Sequence, residues 1–172
     1  MAYPTTTQHY KLYPFTSIMA SPYSCDPTGV LDCAAAIESL KANQSNSGTI
    51  HIPKGTFSIA TNLTIPTGMM LRFEAGGKFV VAAGVTLAIN SPLEAGLYQI
   101  FSCTGTGKVV FGTGAVKEVY PEWWTTNTTP GTTDMTTAFN ASVVSIRPEI
   151  VAASRAGGVI RCTNRYLITG TI

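Results

Sequence analysis

The sequence predicts a mainly β fold in which short strands stack into a solenoid, a parallel β-helix. Three observations carry this. Between Gly48 and Val119 nine short runs follow one another, most of them alternating apolar and polar residues and divided by Gly, Pro and Asn. They are too short and too closely spaced for βαβ units, and no linker carries an Asn-Gly or Asp-Gly hairpin turn. Only 12% of the 172 residues are charged, against a usual share of about 25%, while 45% are hydrophobic. Such a chain takes its polar surface from hydroxyls and amides, which suits stacked strands. An antiparallel sandwich is the competing reading.

Residues 1–24 are rich in Tyr, Pro and Thr and lack periodicity. They read as an extended arm whose prolines at 4, 14 and 22 exclude it from the middle of a sheet. Tyr3, Tyr10, Leu12, Tyr13, Phe15 and Ile18 are too apolar to leave in water. Tyr10, Tyr13 and Phe15 are therefore candidate assembly contacts, and the alternative is an arm lying along its own module. Asp26-Pro27-Thr28-Gly29 is a turn. Asp32 is placed to cap a helix through Ala42, with Cys33, Ala36, Ile37 and Leu40 on one face.

From Gly48 the period changes. The runs are 49–52, 56–59, 62–65, 69–73, 78–81, 85–89, 98–101, 108–111 and 115–119. The module covers 25–124 and ends at Tyr120-Pro121-Glu122-Trp123-Trp124. A Thr/Asn/Pro/Gly linker, 125–133, follows. From 134 to 172 the first module starts again: Asp134 caps a helix through Ala138, Phe139 and Val143. Gly158-Val159-Ile160-Arg161-Cys162 echoes Gly48-Thr49-Ile50-His51-Ile52, and Tyr166-Leu167-Ile168 echoes Phe57-Ser58-Ile59. The second copy is expected to break off in mid-repeat, as a fragment of a longer protein or under the cover of a neighbouring subunit.

Two stretches carry a family likeness. Cys25-Asp26-Pro27-Thr28-Gly29-Val30-Leu31-Asp32-Cys33-Ala34-Ala35-Ala36-Ile37, with Gly48-Thr49-Ile50-His51-Ile52-Pro53-Lys54-Gly55-Thr56-Phe57-Ser58-Ile59, resembles the opening of pectate-lyase-like right-handed parallel β-helix proteins. Leu93-Glu94-Ala95-Gly96-Leu97-Tyr98-Gln99-Ile100-Phe101, with Val119-Tyr120-Pro121-Glu122-Trp123-Trp124, is similar to a segment of bacteriophage tailspikes and bacterial β-helix proteins. The sequence departs from the common form at Leu31 and Cys33, and the second copy lacks Pro-x-Gly. The resemblance implies a capping helix, side-by-side trimers, and active residues in later repeats that this chain does not contain. It is weak for activity, because one fold hosts lyases, hydrolases and inert stalks.

The chemistry in the residues is sparse. A net charge of +2 without a run of Lys or Arg gives no footprint for nucleic acid. No apolar stretch of about 18 residues exists to span a membrane, and the N-terminus has no secretory leader pattern. The four cysteines, Cys25, Cys33, Cys103 and Cys162, have no C-x-x-C spacing for zinc. Cys25 and Cys33 either close a small disulfide loop or serve as small buried apolar residues. No Asp lies between Cys33 and Thr133, which argues against a calcium-dependent lyase and against a catalytic acid cluster. Glu74 and Glu94 are twenty apart and could share a face; chance explains such a pair more often than a site does. His51, opposite in direction to Ile50 and Ile52, reads as solvent-facing and without a partner. Gly105-Thr106-Gly107-Lys108 lacks the P-loop spacing and is a turn. Asn62-Leu63-Thr64 and Asn127-Thr128-Thr129 match the glycosylation pattern, which matters only in a eukaryotic secretory route.

Tyr120, Trp123 and Trp124 are the sharpest aromatic cluster, either stacking on a glycan or interface or plugging the end of the module. No catalytic residue, metal site or cofactor is expected. The expected function is a structural or attachment part of a phage tail spike or fibre. It would sit in the virion tail as a homotrimer, against other tail or baseplate proteins, with host-surface polysaccharide as a further expected partner. The alternatives are a piece of a polysaccharide lyase or hydrolase whose catalytic repeats lie elsewhere, and a bacterial carbohydrate-binding module at the cell surface.

Overall fold

The structure, a computed structural model, describes residues 15–146 and 158–172. The fold is mainly β, and every strand pairing among the described residues is parallel. That removes the antiparallel sandwich. The strands are β1 (Phe15–Ser17), β2 (Thr28–Asp32), β3 (Gly48–Ile52), β4 (Gly55–Ile59), β5 (Leu63–Ile65), β6 (Met69–Phe73) and β7 (Gly77–Val81). They continue as β8 (Thr86–Ile89), β9 (Leu93–Glu94), β10 (Phe101–Cys103), β11 (Lys108–Phe111), β12 (Glu118–Val119) and β13 (Val159–Ile160). Among the described residues there are also two helices, α1 (Ala34–Asn43) and α2 (Thr136–Ile146), and a 3-10 turn, Pro121–Trp123.

From β3 to β11, successive strands fall in turn into three sheets: β1-β3-β6-β9, β2-β4-β7-β10 and β5-β8-β11. Each strand therefore pairs with the strand three further on. Phe57 faces Phe79 and Phe79 faces Phe101, a repeat of 22 residues. Leu63 faces Leu87, which faces Val109. Ile50 faces Leu71, which faces Leu93. Alternation turns one side chain in two inward, so like residues stack in columns. Ile50, Ile52, Phe57, Ile59, Leu71, Phe79, Leu87 and Ile89 are fully buried. At about 1.5–3 kcal/mol for each large side chain buried, these columns are the main driving force.

Asp32 ends β2, and Cys33, not Asp32, holds the cap position of α1. The Asp32 carboxylate still serves the helix: it accepts the Ala34 N–H at 3.0 Å, the Ala60 N–H at 2.9 Å and the Thr61 hydroxyl at 2.8 Å. It thus ties the helix start to the chain after β4. Ile37 and Leu40 go into the core, and α1 ends where Ser45 and Asn46 adopt positive φ. The turn at Asp26 is built by its carboxylate, which accepts the N–H groups of Thr28, Val30 and Leu31.

The arm and two strand runs are corrected. Residues 15–24 do not leave their own module: β1 pairs with β3, Ile18 is fully buried and Tyr23 nearly so. The reason is that a three-residue strand at a sheet edge, entered from Pro14, offends no proline rule. Tyr3, Tyr10, Leu12 and Tyr13 lie outside the described residues. The run at 98–101 is displaced to Phe101–Cys103, and that at 115–119 shrinks to Glu118–Val119. The linker 125–133 is tied to the chain near Arg165. Gly131 N–H donates to the Arg165 carbonyl at 3.1 Å, and Asn127 Nδ2 to the same oxygen at 3.0 Å.

The second helix is entered as the first is. The Asp134 carboxylate accepts the Thr136 N–H at 2.9 Å and the Thr169 hydroxyl at 2.5 Å, as Asp32 accepts Ala34 and Thr61. The Met135 N–H reaches the Leu167 carbonyl at 2.9 Å, as the Cys33 N–H reaches Ser58 at 2.8 Å. β13 pairs with β12 as β3 pairs with β1. The second copy buries Met135, Ala138, Ser142 and Ser145, with Ser142 where the first has Leu40, and α2 packs on β11.

Candidate functional site

The outward face of the β1-β3-β6-β9 sheet brings an imidazole and three charged side chains into one groove. Register places Ser17 beside His51, His51 beside Arg72, and Arg72 beside Glu94, one row across four strands. Around that row lies a groove of about 730 Å³ bordered by Phe15, His51, Arg72, Glu74, Glu94 and Tyr98.

Each polar group in the groove has a neighbour. His51 Nε2 lies 2.9 Å from Glu74 Oε1. The Phe15 ring sits 4.6 Å from the His51 ring, and the Arg72 guanidinium lies 6.0 Å from the Phe15 centroid. Arg72 Nε and Glu94 Oε1 are 3.7 Å apart, both half exposed, a pair of small energetic weight in water. The Tyr98 hydroxyl donates to the Phe73 carbonyl at 2.7 Å, which fixes the ring as one wall.

This corrects two sequence expectations. His51 is neither solvent-facing nor isolated: only 12% of its side chain is exposed, under Phe15 and beside Glu74. Residue alternation gave its direction correctly but could not foresee that β1 would supply a covering ring. Glu74 and Glu94 share the groove, but Glu94 aligns with Arg72. The true repeat is 21–24 residues, so a spacing of twenty does not stack. Arg72 was missed. Steps of 21 and then 22 residues along the outward positions join His51, Arg72 and Glu94 in that row.

The aromatic cluster forms a different environment. Trp123 and Trp124 are 4% and 5% exposed. Trp123 packs against Phe111 and Tyr120, and Trp124 against Phe101, with centroids 5.3–6.2 Å apart. The Trp123 indole N–H donates to the Gly96 carbonyl at 3.1 Å, the Ile100 N–H to the Trp123 carbonyl at 2.9 Å, and Gln99 Nε2 to the Trp124 carbonyl at 2.8 Å. The Trp123 indole and the Trp123 and Trp124 carbonyls thus fasten the segment after β9 to the 3-10 turn, and both indoles are buried.

Tyr120 is half buried, and its hydroxyl donates to Glu118 in a short hydrogen bond. Glu118 also meets Arg161 at 2.9 Å. The Tyr120 hydroxyl first, then Arg161, holds the Glu118 carboxyl below its ordinary range, while that bond pushes the Tyr120 phenol up. Glu122, buried, accepts the Tyr166 hydroxyl at 2.6 Å and the Thr163 hydroxyl at 3.1 Å. These bonds join the first copy to the second.

No group of three or more metal-ligating side chains occurs among the described residues, and none of their helices is long and apolar enough to cross a membrane. Comparison with family models, with curated proteins and with solved structures finds no match to this chain.

Proposed function

We propose that the chain is a right-handed parallel β-helix stalk that serves as a structural, attachment part of a bacteriophage tail spike or fibre. The observation that carries the reading is the three-sheet register: strands in all three sheets repeat every 21–24 residues, with core columns in between. Such stacking makes a stiff body that transmits load along its axis, because each repeat touches only its neighbours. Trimeric assembly, contact with other tail or baseplate proteins and a place in the virion belong to the same reading and come from the family likeness.

The acids support a non-catalytic role. Glu74 lies against His51 and Glu94 near Arg72, while Glu118 and Glu122 lie in the joint between the copies. Hydrolysis of a glycosidic bond needs two carboxyl groups about 5–9.5 Å apart with the scissile bond between them. We expect no cleavage of capsular polysaccharides by residues 1–172, measured as released reducing ends or unsaturated products. Turnover abolished by Glu74→Gln would contradict this. Mass spectrometry of purified virions from the source that encodes the chain is the direct test. The reading predicts its peptides in the tail fraction, and their absence from every virion fraction would overturn it.

A second reading, a glycan-binding surface module, is favoured by the groove. Phe15 and Tyr98 border a row of charged and imidazole groups that suits hydroxyl-rich ligands. Glycan-array binding lost on Arg72→Ala, with no virion peptides, would favour it.

A further inference from the structure

The strongest unassigned chemistry lies at the start of the first module. Cys25 and Cys33 are 5% and 1% exposed. Cys25 Sγ lies 4.0 Å from the Cys33 carbonyl oxygen, and Cys33 Sγ lies 3.8 Å from the carbonyl of Asp26, the residue beside Cys25. Each sulfur thus lies within 4 Å of backbone at or beside the other cysteine, and both thiols are free. The neighbouring Cys33, then burial, pushes the Cys25 thiol up, while the neighbouring Cys25 holds the Cys33 thiol below its ordinary range.

We propose that Cys25 and Cys33 are a disulfide-forming pair, oxidised by a small-molecule disulfide once the protein meets an oxidising medium. The loop they would close is already ordered. Its turn is fixed by the Asp26 carboxylate on three backbone N–H groups, and Cys33 is held by its N–H on the Ser58 carbonyl at 2.8 Å. A bond between residues that the fold already holds together adds little native strain. Access comes through β2, an edge strand whose register with β4 is interrupted between Thr28 and Asp32, with Val30 and Leu31 exposed.

The exchange balances. The Cys33 thiolate attacks oxidised glutathione and expels one glutathione thiolate, leaving a mixed disulfide. Cys25 gives up its proton, attacks the Cys33 sulfur and expels the second. Two protein thiols are oxidised and one glutathione disulfide is reduced to two thiols. Cys103 and Cys162 take no part, and burial pushes the Cys103 thiol up.

The test uses the intact chain, once as folded protein exposed to oxidised glutathione and once refolded from denaturant in a glutathione redox buffer. Remaining thiols are alkylated, and the chain is cut with trypsin without reduction. Cys25 and Cys33 fall in one peptide, 12–41, with no other cysteine. The expected result is that peptide unalkylated and about 2 Da light, with Cys103 and Cys162 alkylated. The oxidised chain should melt about 5 °C above the reduced one. Two alkyl groups on 12–41 in both arms would overturn the proposal. So would glutathione adducts without ring closure, bridges to Cys103 or Cys162, or a lower melting temperature on oxidation.

Discussion

At the scale of single residues, two kinds of side chain carry disproportionate weight: core aromatics in register and carboxylates that collect backbone N–H groups. Phe79 sits between Phe57 and Phe101 in its column and is fully buried. Phe79→Ala should cost about 3–5 kcal/mol in urea unfolding, since neighbours above and below hold the cavity open. Asp134, exposed, is held at about 2 by the Thr136 and Thr169 groups, and Asp26 at about 2 by its backbone donors. Each binds its proton less tightly folded than unfolded. The stability they contribute is present above the ordinary value of 3.8 and is lost as pH falls towards about 2. Melting temperature should therefore drop between pH 4 and pH 2, less steeply in Asp134→Asn than in the wild type. An identical pH profile for the variant would show that these bonds do not form. The turn at Asp26 and the importance of Asp32 and Asp134 were legible in sequence. The partners across the fold were not, because Thr61 and Thr169 lie 29 and 35 residues further along the chain.

At the scale of elements, glycine spacing sets how closely one repeat approaches the next. A Cβ on Gly77 would come within 2.6 Å of the Pro53 carbonyl and 2.8 Å of the Ile52 carbonyl, both in the preceding repeat. Gly84, at φ +76, has nothing within 4 Å of the same position. Gly77→Ala should thus destabilise by about 1–3 kcal/mol through forced separation of repeats. Gly84→Ala should cost only the left-handed backbone term, about 1–2 kcal/mol. Urea midpoints of the two variants check the order, and a larger loss at Gly84 would count against the close approach. Elements with clear alternation, such as 69–73 and 78–81, were readable to within a residue. β1, β2 and β9 were not read as strands. They are two to five residues long and owe their state to a neighbour's free edge rather than to their own pattern.

At the scale of the whole molecule, the design is repetition. One helix-entry device appears at both Asp32 and Asp134, and three sheets are extended by steps of 21–24 residues. The periodic core was legible because alternation fixes what faces inward. The groove was not, because it depends on which outward residues the register brings level, and a two-residue error in the repeat hid the Arg72–Glu94 alignment. The most direct test of the account is therefore the register itself, read as amide–amide nuclear Overhauser contacts in the labelled chain. Parallel stacking predicts contacts linking the neighbourhood of Phe79 with those of Phe57 and Phe101, and of Leu87 with Leu63 and Val109. Antiparallel contacts between sequence neighbours, such as 55–59 with 63–65, would contradict it.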